Sequence, residues 1–570
     1  MKFRTWIRDY GCYLLWFAAL LPLTLLRDFT PSNELRYMSI ADEALREGHW
    51  FAFYHQGIPY ADKPPLYLWI VMLGRWLFGD GCMGFVSLFS ILPALGIVAV
   101  MDRWVRGVAG LDLARRRAGQ WMLLTTAFFA GGMVVLRMDM LMSLFIVLAL
   151  RVFYRIYEDK ERPGDRWWFP LLVFMALFTK GPYGVMIPVA GAMVFLLVER
   201  CGKTYRRGLW RRCFGWRFWL VLLALSGLWW GMVYAEGGYD YLHNLLFNQT
   251  VHRAVDSFSH KRGFFYYFWS FGHAAAPWSL LYVAVLLSAL AACLKRRAAS
   301  EATAAAGGDT ALPRFFLTVF LTSLLMLSCV SAKLEVYLLP VYPFVVYYVL
   351  LRMPRWENRL WARLLVSVPL LVLTLALPAV LCLPGWVPSM ALLQGLSIYI
   401  AATVLTAGGL WGWWLLWRRR DTAGTIRTVG LSLFVAVFFG AFRLPALNPY
   451  MGYGALARSG RDLVSERMPD GAAVVWGDPT VAYGAYRVRR AVGMAAYVKQ
   501  PVREIQRWDE VQTLTGAGRP LLMFISGGAL AAEPAVASAC AGRPQRAVGP
   551  YTAVWFGTQA DDGVAEGGRP

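Results

Sequence analysis

As far as about residue 442, long apolar runs alternate with short charge-bearing segments; beyond it the alternation shortens to a few residues. An α-helix rises 1.5 Å per residue, so roughly 20 apolar residues, or a few fewer, cross about 30 Å of hydrocarbon. The pattern predicts about thirteen membrane helices, near residues 10–26, 82–101, 119–136, 140–156, 167–179, 181–198, 218–235, 264–294, 315–331, 338–351, 364–383, 391–416 and 429–442. The first follows Lys2, Arg4 and Arg8 as a signal peptide would, but LRDFTP comes next instead of a small-residue cleavage site, so a membrane helix is expected. The stretch PPLYLWIVMLGRWLF at 64–78 is short, opens on Pro64-Pro65 and carries Arg75. It is expected to lie along the membrane interface, not across it.

After residue 442 the runs AAVVWGD at 472–478 and PLLMFIS at 520–526 have the look of buried strands, and ARSGRDLVSERM at 457–468 of a helix. The expected fold is an all-α polytopic membrane domain over 1–442, with a first outer loop at 27–81 that holds interfacial helices, followed by a small α/β domain outside the membrane at 443–570. That C-terminal domain carries no phosphate-loop or nucleophile-elbow motif, so its plainest role is a structural cap or partner surface.

Composition agrees. The apolar fraction of the 570 residues is 58% and the charged fraction 16%, against roughly 45–50% and about 25% in soluble domains. The aromatic fraction of 15% excludes disorder, and 8 scattered Cys without a CxxC pair are expected to be packing residues. A net charge of +22 suggests nucleic acid until its distribution is examined. With 64–78 not crossing, one side of the membrane collects 30 Lys/Arg and the other 11 over nearly the same length. Positive residues accumulate in the cytoplasm, which places the N-terminus inside and the C-terminus outside. The charge is then topology, and no nucleic-acid partner is expected.

The outer segments hold the candidate chemistry. All six His fall there or at a helix end facing it, and Asp139 and Lys180 sit at the outer ends of apolar runs, where a charge needs a wet cavity or a partner. Arg36, Lys63, Arg253 and Lys333 each stand next to aromatic or Pro residues at a boundary, in ELRY, ADKPP, VHRA and AKLEVY. Converging, they would clamp a phosphate at the bilayer surface; singly, they would snorkel or bind lipid headgroups.

The stretch PSNELRYMSIADEALREGHW, with IPYADKPPLYLWIVMLGRWLFG after it, resembles the first outer loop of bacterial aminoarabinose transferases, in the protein O-mannosyltransferase superfamily of C-type glycosyltransferases. RMD at 137–139, FTKGP at 178–182, HKRGFFYYF at 260–268 and SAKLEVYLLPVYP at 331–343 continue the resemblance, in order, over about residues 28–343. It implies a multi-spanning inner-membrane glycosyltransferase that moves a sugar from a polyprenyl phosphate to a lipid, such as lipid A, or to a protein, on the periplasmic face and with inversion. It also implies that Arg36, Lys63, Arg253 and Lys333 hold the donor phosphate, with Tyr60 and Tyr337 nearby. No sugar nucleotide or redox cofactor is required.

The chain departs from the family in two places. The first loop usually reads Asp-Glu before x-Arg-Tyr, and here reads Asn33-Glu34. Asn33 has no carboxylate to serve as base, which leaves Glu34, Asp28 or Asp139 for the role, or a chain that binds lipid without catalysis. A divalent cation, held in some relatives by an acid before Lys-Pro and a later His, would have only Asp62 and His252 here, with Thr250 at the usual His position. A transporter or flippase of a lipid-linked sugar is the other alternative, although no internal repeat is seen.

Overall fold

The computed structural model describes residues 2–199, 202–247, 261–298, 311–468, 481–511 and 519–557. These fall into two compact units, one built from Met1–Leu23, Ala61–Tyr67 and Val86–Gly440, the other from Thr24–Tyr60, Leu68–Phe85 and Ala441–Pro570. Most of the first outer loop thus clusters with the C-terminal segment.

The first unit is helical. Among the described residues, six helices are long and apolar enough to cross a membrane: Met83–Val105, Asp139–Tyr157, Lys203–Phe247, Ala311–Cys329, Leu396–Arg419 and Thr422–Ala441. The helices Leu360–Thr374 and Ala376–Trp386 form a further pair bent by 53°. The expected span at 10–26 lies in the helix Lys2–Leu26, and most of the others are helices that are shorter or broken. The run at 119–136 breaks at Thr126, whose backbone is extended (φ −62°, ψ 118°), into Leu113–Thr125 and Ala127–Val134. The run at 264–294 divides into Tyr266–Ala274 and Ser279–Ala298. An apolar run reports hydrophobicity and is blind to such breaks.

The core of this unit is aromatic. Trp104 meets Tyr154, Phe315, Phe316 and Phe344, and Phe153 stacks on Phe315 with centroids 5.8 Å apart. Outward, the helix Trp216–His243 exposes Trp216, Trp219, Leu220, Leu223 and Leu228. An apolar face of that extent belongs in lipid, where a helix satisfies its own backbone.

The second unit contains a five-stranded sheet ordered Val502–Ile505, Ala482–Tyr486, Leu521–Ser526, Tyr551–Trp555, Gln545–Val548. The first three strands are parallel and the last two antiparallel to their neighbours. The expected strand at 520–526 is the central one, and its continuous apolar run follows from burial on both faces. Leu521, Met523 and Ile525 pack with Val536, Cys540 and Phe556 on one face. On the other, Leu522 and Phe524 meet the helix Gly454–Arg467, where a side chain at Gly460 would come within 2.8 Å of both. The expected helix at 457–468 is this one, whereas the expected strand at 472–478 lies outside the described residues.

Two helices of the first outer loop, Glu34–Glu47 and Pro65–Phe78, frame this unit's remaining part. Of the five described cysteines, all free, Cys82, Cys213 and Cys540 are buried as packing residues. Cys329 and Cys382 are exposed, a correction to the packing expectation, because apolar exposure costs nothing on a lipid-facing surface.

Candidate functional site

In the second unit, Arg27 clamps Glu34 through two hydrogen bonds of 2.7 Å, and the Thr30 amide donates to the same carboxylate at 2.7 Å. Glu34 is fully buried, so this pairing sets the start of the helix that carries Arg36. Arg36 itself has no carboxylate partner among the described residues. Its Nη2 donates to Asn33 Oδ1 at 3.1 Å, its guanidinium lies over the Tyr60 ring at 5.4 Å, and its Nε is buried without an acceptor. Nearby His55 is pushed down to about 4 by burial and by the Arg36 charge.

Asp28 lies against the start of the helix Gly454–Arg467, with Arg458 3.9 Å away. Burial raises its carboxyl above the ordinary value, against the pull of Arg458 and of the Ala455 and Gly454 amides. Its Oδ2 is closed off from solvent.

In the first unit the sequence FTKGP makes a tight turn. Gly181 adopts φ +99°, and a side chain on Gly184 would strike the Ala176 backbone at 2.2 Å. The turn leaves Lys180 at the end of its helix, where it pairs with Asp139, and Arg137 Nε donates to the other Asp139 oxygen at 2.9 Å. Asp139 and Lys180 are both buried. Lys180 also faces the Tyr337 ring at 4.7 Å, and Tyr337 stacks on Tyr183 at 4.2 Å.

Lys333 is only 3% exposed. A short bridge between Lys261 and Ala332 lays one segment on the other, and Lys333 Nζ donates to the carbonyls of Arg262 (3.1 Å) and Val330. No carboxylate meets it among the described residues. Two residues on, Glu335 Oε1 is 2.8 Å from His273 Nε2 and 3.5 Å from the Tyr266 hydroxyl. Tyr266 and His273 lie on one helix two turns apart, hence on one face.

The expected residues therefore divide. Lys63, Lys333, Tyr337 and Asp139 belong to the first unit, and Asp28, Glu34, Arg36 and Tyr60 to the second; Lys63 and Asp62 are half-buried. Arg253 and His252 lie outside the described residues. No group of three or more His, Cys, Asp or Glu side chains suited to a metal occurs among the described residues. Asp62 alone does not make a metal site, and no step below runs through one. Sequence reasoning passed over Glu335. Its signal was position, a carboxylate inside the AKLEVY motif two residues after a selected lysine.

No protein-family model matches the chain. Among curated proteins it is similar to the undecaprenyl phosphate-alpha-4-amino-4-deoxy-L-arabinose arabinosyl transferase of Edwardsiella ictaluri, with 27% identity over 60% of this chain and 57% of that protein. A second such transferase, from Pseudomonas fluorescens, is 26% identical over 54% of this chain and 51% of its own length. The chain spans about half the length of the curated relatives it matches. The crystal structure of ArnT from Cupriavidus metallidurans bound to undecaprenyl phosphate superposes with a TM-score of 0.69 and 17% identity, covering 96% of this chain and 98% of that one. The chain resembles the aminoarabinose transferases in sequence and has the fold of the solved ArnT.

Proposed function

We propose that this chain is an integral-membrane glycosyltransferase that moves a sugar from a polyprenyl phosphate, such as undecaprenyl phosphate, to a lipid A-like or protein acceptor, with inversion at the anomeric carbon. The observation that carries the proposal is a cation without counter-charge, seen at Lys333 in the first unit and, separately, at Arg36 in the second. Arg27, Arg75 and Lys180 are each neutralised by a carboxylate. Lys333 and Arg36 have only carbonyl, amide and aromatic partners among the described residues. A buried cation left unneutralised is unfavourable in itself, and an incoming phosphate relieves it. The undecaprenyl phosphate bound by the ArnT of the same fold supports that ligand.

In the transfer, Lys333 neutralises charge that develops on the leaving phosphate, the largest electrostatic task of the reaction. The roles of Lys63, Arg253, Arg36, Tyr60 and Tyr337 toward the same phosphate rest on the family resemblance. Arg137 and Lys180 occupy both Asp139 oxygens, which gives Asp139 the work of holding Lys180 against Tyr337.

The membrane arrangement proposed is about thirteen crossings, N-terminus cytoplasmic and C-terminal sheet periplasmic. The helix Pro65–Phe78 supports it: Trp69 near its start donates to the Trp50 carbonyl at 2.6 Å, and Arg75 near its end pairs with Asp42 at 2.6 Å. Both ends stay with the segment that precedes the helix, as an interfacial helix requires. The second reading, a noncatalytic lipid-binding protein, is favoured by one observation, the Asn33 amide in the place of the usual acid. The test is substitution: Lys333→Ala and Lys63→Ala abolish sugar transfer in the enzyme, and a transfer rate untouched by both removes the proposed site.

A further inference from the structure

Of the carboxylates expected to take the acceptor's proton, two are engaged and the third, Asp28, is sealed from solvent. Glu34 gives both oxygens to Arg27 and the Thr30 amide, Asp139 gives both to Lys180 and Arg137, and Asp28 Oδ2 is closed off from solvent. Glu335 differs from all three. Its two partners, His273 and Tyr266, both meet Oε1, and Oε2 has no hydrogen-bond partner among the described residues, which separates it from Glu34 and Asp139, while its contact with solvent separates it from the buried Asp28 Oδ2. Its side chain is 26% exposed, against 3% for Asp139 and 0% for Glu34.

Glu335 also stands in the right relation to the leaving group. Leu334, between Lys333 and Glu335, is extended (φ −131°, ψ 139°), so the two side chains leave the backbone on the same side. Their Cα atoms are then roughly 6–7 Å apart, which leaves room for a sugar ring between a phosphate on one and an acceptor on the other.

We propose that Glu335 is the base of the transfer and His273 its positioning residue, an inference that rests on the glycosyltransferase reading above. The acceptor's O–H proton passes to Oε2 of Glu335, and the acceptor oxygen forms its bond to the anomeric carbon. The bond from that carbon to the donor phosphate oxygen breaks, and its electron pair stays on the phosphate, beside Lys333. His273, donating from Nε2 to Oε1, holds the carboxylate with Oε2 turned to the acceptor. The dyad supplies the carboxylate that Asn33 lacks.

Membranes from cells expressing full-length wild type, Glu335→Gln, Glu335→Asp or His273→Gln would be followed by mass spectrometry for sugar-bearing product across the pH range. Undecaprenyl phosphate retention by each purified protein would be read by native mass spectrometry. Glu335→Gln is expected to retain undecaprenyl phosphate as wild type does, to transfer about 100-fold or more slowly, and to lose the acidic limb of the rate profile. Glu335→Asp recovers part of the rate, and His273→Gln keeps the limb at a displaced pH. Transfer by Glu335→Gln within about threefold of wild type overturns the proposal, since a base contributes more than that. Parallel loss of undecaprenyl phosphate retention also overturns it, by marking a structural role. Wild-type membranes that make no product, from protein that retains undecaprenyl phosphate, overturn the transferase reading and the base with it.

Discussion

Lys333 and Arg36, each in its own unit, have a preference for an anion, because a buried or half-buried cation with no counter-charge is unfavourable in itself. A charge-assisted hydrogen bond is worth about 1.5–3 kcal/mol, so Lys333→Ala is expected to weaken undecaprenyl phosphate binding roughly 10- to 100-fold, measured by titration of the purified protein. Asn33→Asp is a sharper test of how the site differs from its relatives. The new carboxylate would pair with Arg36, which Asn33 already reaches at 3.1 Å, and, in the role proposed for Arg36, compete with the phosphate. Binding is expected to weaken by several-fold, as an ion pair at such a site would dictate, with no gain in transfer rate. His55 sets a pH dependence. Its proton affinity is lowered to about 4 in the folded protein from an ordinary 6.5, so the unfolded chain binds more protons between those values. Stability is therefore complete above pH 6.5 and declines as pH falls toward 4; His55→Gln flattens that slope in thermal unfolding across the same window.

At the scale of elements, the helix Pro65–Phe78 is held by charge as much as by packing. Arg75 meets Asp42 at 2.6 Å and Asp80 at 3.0 Å, and Lys499 reaches Asp80 at 2.8 Å. Asp80, although burial works against its charge, is held below the ordinary carboxylate value by Lys499 and Arg75. Arg75→Met strips a buried pair of its cation and is expected to cost roughly 3 kcal/mol, the low end for such a break because Lys499 remains 3.8 Å from Asp42. Heat unfolding of the purified protein measures it, and Asp42→Leu added to Arg75→Met is expected to recover most of the loss. Arg75 was legible as a residue that sets 64–78 apart from the other apolar runs, since a charge in an apolar run is a local signal. Its partners were not, because Asp42, Asp80 and Lys499 are brought together only by the fold. The breaks at Thr126 and between Tyr266–Ala274 and Ser279–Ala298 were illegible for a related reason: apolar runs continue through them. Helix Gly454–Arg467 and strand Leu521–Ser526 were legible because amphipathic period and an uninterrupted β-rich run are local properties.

For the whole molecule, the asymmetry of 30 against 11 Lys/Arg is the ground for the proposed orientation. A cysteine introduced at exposed Arg487 in the C-terminal sheet unit is expected to react with a membrane-impermeant thiol reagent in intact cells, and one at Lys203 only after the membrane is opened; the reverse pattern would invert the topology. Of the proposed site, the candidate cations Arg36, Lys63 and Lys333 could be picked out by their motifs, whereas the engagement of Glu34 and Asp139 and the burial of Asp28 depend on neighbours that only tertiary structure supplies. The most direct test of the central claim is mass spectrometry of lipid A, other glycolipids and glycoproteins from cells lacking the gene, cells carrying it, and cells carrying Lys333→Ala. One sugar mass is expected to disappear from one acceptor class both in the absence of the gene and with Lys333→Ala. An unchanged profile in every class would contradict it and leave a protein that binds the lipid phosphate without transferring the sugar.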